Sequence, residues 1–193
     1  PAAGLTDATA LVNDLMTAAD GAPPDILLHV LDFTTTNKVI EAMAAAGYQG
    51  KHLTSVGYDP RLAAAGLESM QGVNSILQWS PAESDAEAVQ QMKADLEKYA
   101  PDAVLSLPTM AGYWAADFFV KAATEVGEDL TVDALLELLN SDYTHSVEGA
   151  LAETRWPLNH VINNPCMSVV QLEGNAYKLA AELACGSLLK LNS

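Results

Sequence analysis

The sequence predicts an α/β fold: a Rossmann-like parallel sheet flanked by helices and followed by a C-terminal β-hairpin. Three observations carry that expectation. Residues 23–60 hold a strand, a helix and a second strand with their punctuation in place. A third apolar run at 72–79 again leads into a helical pattern, which is the alternation that builds parallel sheets. Near the C-terminus two apolar runs flank Gly174-Asn175, a pair that tolerates the positive φ of a tight hairpin.

Taken in order, residues 6–20 read as an amphipathic helix with Thr6 as its cap and Leu11, Val12, Leu15 and Met16 on its buried stripe. The run 25–32 is short and nearly continuously apolar, as expected of a parallel strand covered on both faces. Three threonines then open a helix. Val39, Ile40 and Met43 share its inner face, and Gly47 supplies a left-handed stop. A second strand is expected at 52–56, and Asp59-Pro60 starts a short alanine-rich helix. Ser84, with Glu87 three residues on, reads as a capping box for a helix over 85–99. A long aromatic-rich helix over 109–126 and a leucine-rich one over 132–140, capped by Thr131, are apolar on more than one side. Such helices need cover on more than one side. From Tyr143 onward, Gly149, Trp156-Pro157 and Asn163-Asn164-Pro165 punctuate short extended pieces before the hairpin at 167–181.

Composition narrows the function. The chain has 9 Lys plus Arg against 25 Asp plus Glu, a formal net charge of -16. That charge repels nucleic acid and anionic membranes, so a nucleic-acid function is excluded. No run approaches the roughly 18 apolar residues of a membrane helix. Without GxGxxG or GxxxxGK[ST], the turn after the first strand lacks the glycines that let backbone wrap a pyrophosphate. GxSxG and HExxH are absent too, and neither a cofactor nor a metal is expected. The two cysteines, Cys166 and Cys185, flank the hairpin; a disulfide across its open end and a pair of buried thiols both fit that spacing.

A right-handed crossover collects ligands beyond the strand C-termini, here at Asp32, Phe33 and Thr34 and at Gly57, Tyr58 and Asp59. These groups suit binding rather than turnover. Carboxylates and hydroxyls there can orient a small organic molecule, while Phe33, Tyr58 and Trp79 offer flat apolar faces. Each has a plainer role as well, since an Asp between a strand and a helix caps that helix, and aromatics at this spacing pack in cores. An α/β enzyme using Asp32 and Asp59 as acid and base is the competing class.

The element order, with AAAGYQGKHLTSVGYDP after the first helix, then QGVNSILQWSP, AGYWAADFFVKAATEVG and the hairpin VVQLEGNAYKL, resembles the type I periplasmic binding proteins. More narrowly it resembles the substrate-binding component of branched-chain amino acid type ABC transporters. The resemblance implies two Rossmann-like lobes that close on a solute and deliver it to a membrane permease without catalysis. Residues 1–107 would then be most of the second lobe, 108–142 a helical segment of an incomplete first lobe, and 143–193 the return to the second lobe with its hairpin. It also implies a site at Asp32, Phe33, Val56, Tyr58 and, near the crossover, Tyr113. Relatives that bind aliphatic amino acids carry an acid after the second strand for the ligand ammonium, where this chain has Val56 with Asp59 nearby. A periplasmic or lipid-anchored location follows, with any export signal outside this sequence. Uncovered apolar helices would favour dimerisation or element exchange. A ligand-sensing receptor of the same fold is the nearest alternative.

Overall fold

The computed structural model describes residues 7–187, so the expected Thr6 cap lies outside the described residues. The described chain forms two compact units, one from residues up to 76 together with 169–180, the other from 77–168 together with 181 onward.

The first unit opens with helix α1 (Thr9–Leu15), shorter than the expected span. Strand β1 (Ile26–His29), helix α2 (Phe33–Ala45) and strand β2 (Lys51–Thr54) follow as the anticipated crossover. Strands β1 and β2 pair in parallel, with Leu27 opposite His52 and His29 opposite Thr54. Helix α2 stops where Gly47 takes φ +84°, a conformation that costs glycine nothing. Helix α3 (Pro60–Ala64) starts with proline at its first position, and β3 (Asn74–Leu77) pairs in parallel with β2. Strands β6 (Cys166–Glu173) and β7 (Ala176–Cys185) form the hairpin, and the sheet order is β1-β2-β3-β6-β7.

Beneath α1 and α2 the core gathers Val12, Val39, Met43 and Tyr48, with Leu27 packed against it. The other face of β1 is open. Ile26 and Leu28 are 53% and 57% exposed, and β1 is an edge strand of the described sheet, so the expectation of cover on both faces is not met. The apolar run does form a strand, shortened to Ile26–His29.

The second unit is mainly helical. It contains α4 (Glu87–Tyr99), α5 (Leu107–Val126) and α6 (Val132–Asn140). Val89, Met92, Met110, Trp114, Ala122 and Leu139 are buried, while Phe119, Val120, Val132 and Leu136 remain between 45% and 74% exposed. The capping box does not form, because α4 begins after Ala86 and the Ser84 hydroxyl instead accepts the Ala86 N–H at 3.2 Å. Thr131 does cap α6, accepting the Ala134 N–H at 3.1 Å. The extended pieces of the tail resolve into an antiparallel pair, β4 (Thr144–Val147) with β5 (Leu151–Arg155), followed by a short α7 (Leu158–Val161). The Trp156-Pro157 peptide is cis. Cys166 and Cys185 are joined by a disulfide.

Candidate functional site

Two turns of the first unit carry the residues singled out by sequence, and each is built by the strand before it. After β1, Asp32 holds φ -62° and ψ 158° and caps α2. Its carboxylate accepts the Thr35 N–H at 3.0 Å and the Thr35 hydroxyl at 2.6 Å. Those two bonds, the hydroxyl first, hold the carboxyl below its ordinary range. Phe33 is half-buried and Thr34 is exposed beside it. This turn faces solvent with both acid oxygens already engaged.

The turn after β2 is fastened more heavily. Thr54 ends the strand fully buried, and its hydroxyl accepts the Val56 N–H at 3.2 Å. Gly57 then lies so close to the sheet that a Cβ there would come within 2.8 Å of the Ser75 hydroxyl and 2.9 Å of a Thr54 methyl. Only glycine fits that approach. Tyr58 is 2% exposed, its ring edge-on to Tyr177 of β7 at a centroid distance of 4.9 Å. The Tyr177 hydroxyl donates to the Gly57 carbonyl and accepts the Asp59 N–H at 3.3 Å. Asp59 caps α3 by accepting the Arg61 N–H at 2.8 Å, and its carboxylate also accepts from the Arg61 guanidinium, at 3.0 Å from Nε and 2.5 Å from an outer nitrogen. The Arg61 side chain holds the Asp59 carboxyl below its ordinary range.

Sequence reading missed two partners in this unit. Tyr177 lies within the expected hairpin, and nothing local to it signals a turn more than a hundred positions earlier. The other is His52, whose Nδ1 lies 2.8 Å from Nε2 of His29, a contact that runs diagonally between β1 and β2. Burial, then the neighbouring imidazole, pushes His52 down to about 4, and burial lowers His29 as well. The parallel register of β1 and β2 is the signal that would have found the pair.

Tyr113 lies in the second unit. On α5 its hydroxyl donates to Asp95 of α4 at 2.7 Å, and its ring stands edge-on to Trp114. Burial and that bond push the phenol up to about 12. Trp79, also in the second unit, is half-buried. No group of three or more metal-binding side chains occurs among the described residues, and no described helix is long and apolar enough to cross a membrane.

A family model described as periplasmic binding protein matches residues 1–177. The chain belongs to the periplasmic binding protein family. Its fold is that of the type I members, as solved structures make plain. A possible leucine/isoleucine/valine-binding protein from Rhodopirellula baltica superposes with a TM-score of 0.71 at 16% identity, covering 88% of this chain and 46% of that one. A branched chain amino acid ABC transporter protein from Thermus thermophilus, with bound valine, gives 0.67 at 15%, covering 95% and 51%. A solute binding protein of an ABC transporter from R. palustris, in complex with benzoate, gives 0.57 at 14%, covering 93% and 48%. This chain therefore spans about half the length of the periplasmic binding proteins it matches in structure. No curated protein matches it.

Proposed function

We propose that this chain is the larger part of one lobe, and a piece of the other, of an extracytoplasmic solute-binding protein that captures a small organic molecule for an ABC importer without catalysis. The observation that carries this reading is the family match over residues 1–177 on a parallel sheet whose strand-end turns are already folded around their own caps. On this reading Asp32, Phe33, Thr34, Val56 and Asp59 present the solute-facing wall of the first unit, with Tyr58 as its buried support. In the second unit Tyr113 offers its ring edge while its hydroxyl stays on Asp95. A permease partner and a periplasmic or lipid-anchored location follow from the family rather than from any residue here.

The acids at the two turns favour a solute without an ammonium group. Asp32 spends its oxygens on Thr35, and Asp59 is neutralised by Arg61. The half-buried Val56 stands where a free carboxylate would serve an amino acid. What is left open is apolar surface and hydroxyl groups, which suit an organic acid held by its hydrocarbon part. The test is a thermal-shift and calorimetric panel of benzoate, L-valine and L-leucine against the protein containing this chain. A ligand at about a hundredfold over its Kd stabilises the protein by ~2.7 kcal/mol, which such a shift detects. Benzoate is expected to bind and the amino acids to bind more weakly. Tighter binding of L-valine would reverse the solute class, and hydrolysis or other turnover of a bound compound would return the enzyme reading.

A further inference from the structure

Tyr177 does something that no hairpin residue needs to do for its own strand. It lies at 7% exposure on β7, yet its hydroxyl is bonded to a turn separated from it by more than a hundred residues. Its contacts bracket Tyr58: the hydroxyl donates to the carbonyl of Gly57, accepts from the amide of Asp59, and lies 3.3 Å from the Asp59 carbonyl as well. A single hydroxyl thereby orients the peptide groups on both sides of Tyr58, while the Tyr177 ring holds the Tyr58 ring from the edge. Local bonds also fasten the turn, from Thr54 to Val56 and from Asp59 to Arg61.

We propose that Tyr177 is a positioning residue for solute binding: it sets the direction of the 56–59 turn, and so of Val56 and the start of α3, from outside the site. This rests on the solute-binding reading above. A buried hydroxyl removed here leaves a carbonyl and an amide without their partner, and groups left so in a dry setting turn to find another. Tyr177→Phe keeps the ring in place against Tyr58 and removes the hydroxyl that Gly57 and Asp59 share, so the turn is released.

The test begins without any ligand. In the Tyr177→Phe chain the Asp59 amide is expected to exchange hydrogen at least about tenfold faster, while the amides of β2 keep their rates and the melting temperature changes little. An unchanged Asp59 rate, or a uniform acceleration across β2 and β3, would overturn the assignment, because either result gives Tyr177 only a general structural part. Binding of benzoate and of L-valine is then measured for parent and variant. A parent that binds one of them and a variant weakened about fivefold or more support the proposal; equal affinities overturn it. If the parent binds neither, the solute class above is what fails, and the exchange result alone decides Tyr177. Should Tyr177→Phe fold poorly, Gly57→Ser read by the same exchange gives the comparison, since its added atoms meet Ser75 and Thr54 and displace the turn directly.

Discussion

The turn after β1 and the turn after β2 are made to one recipe and end up with different properties. Each follows a parallel strand, and each has an aspartate that caps the next helix. The first sits at an edge strand with Ile26, Leu28 and Val30 uncovered, and Asp32 and Thr34 are exposed. The second comes from an interior strand, and its glycine and tyrosine are buried against Thr54, Ser75 and Tyr177. The difference teaches that place in the sheet, more than local sequence, decides whether a strand-end loop is open or held. A held loop has its ordering entropy removed before any solute arrives.

Substitutions can break that contrast, and the largest effect belongs to the held turn. Gly57→Ala forces a methyl against Ser75, Thr54 and Met70 and is expected to destabilise the chain by ~1–3 kcal/mol in a denaturant titration. The matching change at Gly47, where a Cβ meets nothing within 4 Å, costs only the strain of its positive φ. Next comes removal of the caps. Asp59→Ala is expected to cost about 1 kcal/mol, and Asp32→Ala less, because the first turn has fewer partners to lose.

Acid sharpens the comparison from beneath, through the His29–His52 bond that links the two strands. Both imidazoles are depressed in the folded chain, so the unfolded state binds protons first. Stability is therefore complete above the ordinary value of 6.5 and falls as pH drops toward about 4, where His52 itself charges. The expected loss is on the order of 1 kcal/mol, discounted for the solvent around His52. Asp32 and Asp59 act in the same direction but at lower pH: their depressed carboxyls contribute stability that is full above the ordinary 3.8 and is lost as the pH falls below it. A melting profile against pH, repeated with His52→Gln, separates the two regimes. The smallest effect on stability, within about 0.5 kcal/mol, is expected for Leu28→Lys on the open face of β1. That charge should nonetheless reduce self-association of the isolated chain, measured by size exclusion with light scattering.

Much of the architecture was legible because its signals are local. Asp32 before three threonines, Gly47 after an alanine run and Thr131 before Val132 each name their own helix boundary. The Ser84 box failed for a reason sequence does not carry, since the chain stays extended through Ala86 and spends the serine on that residue's amide. Exposure of β1 was unreadable too: an apolar strand looks the same whether its neighbours are present or absent. At the candidate site the positions could be named, yet their states could not. Tyr58 reads as an available aromatic face and is instead buried on Tyr177, a contact made through the fold and not along the chain.

The most direct measurement is solute binding to a Val56→Trp variant. Val56 is half-buried beside the held turn, and a bulky ring there should fill the wall without disturbing Thr54 or Tyr177. Calorimetry with the solute that the panel identifies is predicted to show binding abolished in that variant while its melting temperature stays within a few degrees of the parent. Undiminished affinity would mean that the strand-end turns of this unit are not where the solute is held.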